Sequence, residues 1–226
     1  IADKTATICS SNSFSVIPSN GGSEIVPAGT LYNWTVSNNT NITGQSAVGT
    51  YTNTIGQLLN NVTNSQKQIV YTATPMSGNC TGSSFAITVT VDPTPIIGAK
   101  ATPICSEGTF TVIPVDASPT EIVPASITYS WGNPIVTGSV TGGSNASLAG
   151  TISGSLTNPT NLVQTATYSI TPIAGSCTGG VFSVTVTVNP KATIADKTNT
   201  ICSGSAFSIV PTNSGSEIVP SGTLYN

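Results

Sequence analysis

Between Phe182 and Val188 apolar and polar residues alternate without a break: Phe182, Val184, Val186 and Val188 are separated by Ser183, Thr185 and Thr187. A period of two over this length puts one set on each face of an extended chain, the pattern of a strand buried on one side. The segment FSVTVTVNP at 182–190 also has an earlier counterpart, FAITVTVDP at 85–93. Each follows a Tyr-centred strand (QIVYTATP, QTATYSITP), then a glycine-containing turn that carries a single cysteine, Cys80 or Cys177. A long segment that returns with its strand pattern intact marks a tandem array. Helical periodicity is absent throughout, so the chain reads as all-β.

The repeats align on a second set of cysteines, Cys9, Cys105 and Cys202, spaced 96 and 97 residues apart. Tyr32-Asn33-Trp34 matches Tyr129-Ser130-Trp131, and the third copy reaches Tyr225-Asn226, where a Trp is expected next. Residues 1–33 and 194–226 differ at nine positions, while the middle copy differs far more, so two repeat types alternate with a period of 193 residues. A unit near 100 residues is long enough for a complete β-sandwich and too long for a solenoid rung. The division is repeat 1 at 1–93, repeat 2 at 94–190, and an incomplete third repeat at 191–226 holding strands A to C only. Lacking the strands that close a core, that last piece is expected to be poorly stable.

Within repeat 1, strand A precedes Cys9, B runs Phe14 to Pro18, and C carries Tyr32 and Trp34 on one face. Strand E lies near Leu58, F spans Gln68 to Thr74 and G spans Phe85 to Val91, while residues 37–56 are polar and resist placement. Proline in the linkers, Asp92-Pro93-Thr94-Pro95 and Asn189-Pro190, stiffens the connections and discourages edge pairing.

Only 6% of the residues are charged, against roughly 25% in ordinary soluble domains. Five lysines stand against eight acids, with no Arg and no His, for a net charge of −3. Without a basic field, nucleic acid is excluded as a partner. No apolar run approaches the ~18 residues of a spanning helix, so no membrane insertion is expected. The 38% apolar content in alternating runs argues against disorder. The opening IADKTATICS has neither a charged nor an apolar leader region, so the chain reads as an excised piece of a longer mature protein.

Trp34 and Trp131 on strand C, the TYSITP strand, the cysteine-bearing F–G turn and the TVTVNP strand together resemble the PKD-like, immunoglobulin-like repeats of secreted Bacteroidota surface proteins. With near-identical copies in series, the resemblance is greatest to giant gliding-motility adhesins of the SprB type. It covers both complete copies and the third fragment. It implies tandem Ig-like/PKD-like β-sandwich domains in a linear array, export by the type IX route, and a place outside the cell on the bacterial surface. The partners it implies are neighbouring repeats of the same chain, with surface polysaccharide or motility-machinery proteins beyond them. Two features depart from immunoglobulin domains: Cys9 lies 25 residues before Trp34, and Cys80 sits in a turn.

The cysteines allow two pairings. One is within each repeat, Cys9 with Cys80 and Cys105 with Cys177, leaving Cys202 alone. The other joins repeats, Cys9 with Cys177, leaving Cys80, Cys105 and Cys202 to pair with copies outside this sequence. In a Greek-key sandwich the A–B and F–G turns lie at opposite ends, separated by a strand of about 17 Å. A disulfide needs its Cα atoms within about 7 Å, which counts against the first pairing without deciding between them. Either way, cysteines at matching places point to an oxidising compartment.

The aromatic residues read as core: Phe14, Tyr32, Trp34, Tyr71 and Phe85 in repeat 1, and Phe110, Tyr129, Trp131, Tyr168 and Phe182 in repeat 2. Lys4, Lys100 and Lys197 each stand five residues before a first cysteine, and Glu24, Glu121 and Glu217 each open a Glu-Ile-Val-Pro, which suggests a recurring Lys–Glu pair. No metal or other cofactor is expected, since the aspartates are isolated and no DxDxDG loop occurs. No catalytic residue is assigned, because neither a nucleophile–base pair nor paired carboxylates can be found. Six Asn-x-Ser/Thr sequons, at Asn33, Asn38, Asn41, Asn61, Asn79 and Asn145, are no more than such a composition produces by chance. The chain thus reads as a non-enzymatic stalk segment of a filamentous surface adhesin. The alternative is a glycan-binding or spacer module of a secreted polysaccharide-degrading enzyme, which predicts an exposed aromatic row.

Overall fold

The computed structural model describes residues 1–225. Repeat 1 forms β1 (Lys4–Cys9), β2 (Asn12–Val16), β3 (Leu31–Val36), β4 (Ile42–Thr43), β5 (Val48–Thr52), β6 (Ile55–Asn61), β7 (Lys67–Ser77), β8 (Cys80–Thr81) and β9 (Phe85–Asp92). Repeat 2 forms β10 (Lys100–Cys105), β11 (Thr109–Val112), β12 (Thr128–Trp131), β13 (Ile135–Val136), β14 (Ala146–Ala149), β15 (Ile152–Ser155), β16 (Gln164–Ala174), β17 (Cys177–Thr178) and β18 (Phe182–Asn189). No helix occurs among the described residues, and the fold is all-β.

In repeat 1 one sheet has the order β1-β9-β7-β3-β5, with β8 on β7, and the other has the order β2-β6-β4. The apolar face of β9 meets the opposite sheet, so Phe85, Ile87, Val89 and Val91 are buried with Phe14, Ile55 and Leu59 between the two layers. The Phe14 and Tyr71 rings pack at 5.0 Å across that space. Repeat 2 repeats the plan as β10-β18-β16-β12-β14 and β11-β15, with Phe110 against Tyr168 at 5.4 Å. In each repeat the first strand runs parallel to the last, β1 to β9 and β10 to β18, while β7 and β16 pair antiparallel with those last strands.

Strands A, C, E and G form where expected; B forms two residues earlier, at Asn12–Val16 in place of Phe14–Pro18, and F is longer than its sequence suggested. β7 continues through Pro75 to Ser77, with Pro75 opposite Tyr32 and its carbonyl accepting from Gly82 N at 2.9 Å. A proline lacks only the donor, so it is tolerated in a strand at a position whose N–H would make no ladder bond. The polar segment 37–56 supplies β4 and the edge strand β5. Contacts divide the chain into two compact units: Ile1–Ile97 with Pro114–Ile127 and Pro172–Gly180, and Gly98–Ile113 with Thr128–Thr171 and Val181 onward.

From 191 to 225 there is no strand, only the isolated bridge Thr193–Ile218. The strands A and B expected there are not formed, and the expected strand C runs into Asn226, which lies outside the described residues. In repeat 1 strands A and B are held by β9 and β6, and residues 191–226 contain no counterpart of either.

Candidate functional site

The feature with the most consequence is a covalent one. Cys9 and Cys177 form a disulfide with Cα atoms 5.6 Å apart, spanning 168 positions of sequence. Of the two pairings open to the sequence, this is the one between repeats. Pairing within repeats does not occur, and the strand register gives the reason. Cys9 pairs opposite Asp92 at one end of β9, and Cys80 lies beyond Phe85 at the other. The eight residues of β9 separate them by about 26 Å, several times what a disulfide spans. Cys80, Cys105 and Cys202 are exposed thiols.

Both partners are held by their local structure. On the Cys9 side, Ser10 N donates to Asp92 O at 2.8 Å and Thr94 Oγ1 donates to Ser10 O at 3.1 Å, anchoring the corner after β1. Ser10 itself belongs to a buried polar knot. Its Oγ donates to Asn61 O and accepts from Asn61 N. Asn61 Nδ2 donates to Ser65 O at 2.8 Å and Val91 O at 2.9 Å, while Asn61 Oδ1 accepts from Thr63 N and Thr63 Oγ1. The carboxamide therefore ties β6 to β9 and to the loop at 63–65, while the Asn61 backbone holds the corner after β1 through Ser10. Repeat 2 carries the same knot in Ser106, Asn158 and Thr160, with Asn158 Nδ2 on Leu162 O and Val188 O.

The knot was missed in the sequence, where Asn61 was read as a chance glycosylation sequon. It is 1% exposed, and its carboxamide is fully engaged. The signal was present: Cys-Ser in every copy, and Leu-x-Asn-x-Thr at 59–63 and again at 156–160.

Cys177 sits in the turn between β16 and β18, pairing with Ala174, and is buried. Gly175 makes that turn with φ of 59°. Two residues past the cysteine, Gly179 N donates to Pro172 O at 2.9 Å. A side chain there would collide with the Pro95 backbone carbonyl, so the position admits only glycine. Ile96 and Ile122 exchange backbone hydrogen bonds beside it, at 3.0 and 2.8 Å. A groove of about 390 Å³, lined in part by Asn64, Gln66, Asp92, Pro93, Pro124 and Ser176, opens next to the disulfide.

The aromatic residues named from the sequence, Phe14, Tyr32, Trp34, Tyr71, Phe85, Phe110, Tyr129, Trp131, Tyr168 and Phe182, are all buried. Each indole N–H donates to a backbone carbonyl, Trp34 to Ser46 at 3.1 Å and Trp131 to Ser144 at 2.9 Å. Burial holds Tyr71 up to about 12 and raises Tyr129 and Tyr168 as well.

Lys4 Nζ lies 2.6 Å from Glu24 Oε1, which also accepts from Ala2 N. Lys197 and Glu217 repeat the contact at 2.6 Å, with Ala195 N on the same carboxylate. The lysine hydrogen bond, helped by the backbone donor, holds both glutamates below their ordinary pKa. Lys100 opens β10, and Glu121 lies in a tight turn whose backbone bonds to Ala117. The aspartates cap local structure: Asp3 accepts from Ala86 N, and Asp116 from Val123 N and Ser118 Oγ. Among the described residues no three His, Cys, Asp or Glu side chains converge as metal ligands would.

The family model of the PKD-like domain matches residues 6–95 and 103–192. The chain belongs to the PKD-like domain family. Its two domains are tandem, Ig-like, all-β units, a structural or adhesion-type module of a kind that is typically non-catalytic. No curated protein matches the chain. Among solved structures it is similar to three domains of the outer capsid protein Hoc from bacteriophage RB49, at 11% identity and a TM-score of 0.40 over 83% of this chain and 67% of that one. Insect hemolin gives 14% identity and 0.36 over 83% and 49%. The titin I-band fragment I67–I69 gives 9% and 0.34 over 84% of this chain, which spans less than two thirds of that fragment, 63%. The strand order and the family match establish the fold without these distant likenesses. The disulfide places the folded chain in an oxidising, non-cytoplasmic setting.

Proposed function

We propose that this PKD-like array is a load-bearing stalk segment of a secreted filamentous adhesin on a bacterial surface, serving adhesion and gliding motility. The observation that supports it is the Cys9–Cys177 disulfide, which links successive repeats covalently instead of closing each one on itself. A stalk has to resist extension at its joints as well as within its domains. The burial of every strand aromatic named above fits a framework, since a glycan platform would expose them. The molecule acts without catalysis, and its neighbours are further copies of itself, with polysaccharide or motility proteins met elsewhere along the filament.

Antibodies raised against residues 1–226 should label intact cells at sites that travel along the surface. Label confined to the medium, together with polysaccharide-degrading activity, would replace this reading with a spacer module of a secreted hydrolase. Glycan-array binding by the oxidised chain would point the same way.

A further inference from the structure

We propose that the Cys9–Cys177 bond is one rung of a repeating ladder, in which the cysteine ending the first strand of each repeat is oxidised onto the F–G turn cysteine of the next. These rungs carry tension around the body of each sandwich. The proposal rests on the array reading given above.

Cys105 and Cys80 are the two halves of the next rungs. Cys105 occupies in repeat 2 the place that Cys9 holds in repeat 1. It ends a first strand opposite Asn189 as Cys9 does opposite Asp92, and Ser106 N donates to Asn189 O at 2.8 Å as Ser10 N does to Asp92 O. The buried Asn–Ser knot stands behind each corner. Cys80, for its part, occupies the place of Cys177. It pairs with Ser77 as Cys177 does with Ala174, and Gly82 N bonds Pro75 O at 2.9 Å as Gly179 N does Pro172 O. Both thiols are exposed, and between these same two positions a bond already exists. Ile-Cys-Ser at 201–203 repeats 8–10 and 104–106, so the next first-strand cysteine is in the sequence too. The partner of each free thiol is thus another copy of this repeat. Forming a rung joins the two Sγ atoms and passes two electrons and two protons to a disulfide-bearing oxidant, which leaves as its dithiol.

The mechanical consequence follows from connectivity alone. A pull entering at Ile1 runs along β1 to Cys9, crosses to Cys177 and leaves through β18. Residues 10–176 form a closed loop off that path. The loaded backbone is then residues 1–9 and 177–226, about 60 residues or about 200 Å when fully extended, against about 800 Å for the whole chain. With a rung at every joint, only first and last strands carry load anywhere in the array.

Appending residues 34–97 after Asn226 completes a third repeat from the chain's own sequence, since 1–33 and 194–226 nearly coincide. Peptide mapping of this oxidised chain without reductant should find Cys105 joined to the added copy of Cys80, with Cys80 and Cys202 as free thiols. Cys105 left free, or joined to Cys80 or Cys202, overturns the ladder. Pulled by its ends until unfolded, the 226-residue chain should reach about 200 Å when oxidised and about 800 Å after reduction. A Cys9→Ser variant should behave as the reduced chain does. Release of the full length by the oxidised chain overturns the load path. Failure of surface labelling would overturn the stalk reading and leave the mapped bonds standing, so the two are separable.

Discussion

Replacing Asn61 with alanine should damage repeat 1 more than any other single polar substitution. The side chain is 1% exposed and makes four hydrogen bonds, donating to Ser65 O and Val91 O and accepting from Thr63 N and Thr63 Oγ1. Neutral hydrogen bonds contribute about 1 kcal/mol each net, and a buried group stripped of its partner costs about 1–3 kcal/mol. Ser65 and Thr63 lie in a loop and recover water. Val91 O is buried between strands and does not. The expected loss is therefore about 4–6 kcal/mol, about 1 for each of the three bonds whose partners recover water or lie in the loop and about 1–3 for the orphaned carbonyl. That is a large part of the ~5–15 kcal/mol by which a domain is stable. The assay is urea unfolding of the reduced and oxidised chains, followed by Trp34 fluorescence in a Trp131→Phe background so that repeat 1 is read alone. Asn61→Asp is a sharper probe, because it turns a carboxylate toward two carbonyls. It should be worse than alanine at neutral pH and recover in acid as the carboxyl is protonated. A loss within about 0.5 kcal/mol for Asn61→Ala, the range of ordinary surface changes, would refute the claim that this carboxamide ties β6 to β9 and to the loop after it.

Trp34→Ala should cost about 3–5 kcal/mol through the cavity it leaves, seen as a lower urea midpoint for repeat 1; an unchanged midpoint would show that the indole is not core. Gly179→Ala drives a methyl group into the Pro95 carbonyl and should lower the melting temperature, with a loss of about 1–3 kcal/mol. Gly82→Ala meets only Pro75 Cγ at 3.0 Å and should be milder, so equal losses would contradict the crowding argument. Tyr71 stays neutral in the fold up to about 12, whereas an ordinary tyrosine ionises near 10.0. Its contribution to stability is thus fully present below pH 10.0 and declines as pH rises through about 12. Tyr71→Phe should flatten that decline in alkaline melting curves, and an unaltered slope would count against it.

The period-two runs were enough to name the strands and their inward faces, because alternation sets which side chains share a face whatever the partner strand is. They could not say where strand β7 ends, since Pro75 breaks the sequence signal but leaves its carbonyl in use. Asn61 was hidden for a different reason. A short polar side chain is neutral in a strand pattern, and only the meeting of three distant segments makes it a tie. The disulfide was legible as a choice of two, and the parallel register of β1 on β9 settled which.

Residues 1–33 and 194–226 are a natural control on this division, differing at only nine positions. Short-range features are the same in both. The Lys4–Glu24 pair recurs as Lys197–Glu217, Asn20 Oδ1 on Val26 N as Asn213 Oδ1 on Val219 N, and Thr30 Oγ1 on Pro27 O as Thr223 Oγ1 on Pro220 O. Yet β1 and β2 have no counterpart strand among residues 194–225. The turns close over a few residues and the Lys–Glu pair over 20, and all lie within the shared stretch and need nothing beyond it. A strand's hydrogen bonds belong to its neighbours, so the same residues become strands only where β9 and β6 are there to receive them.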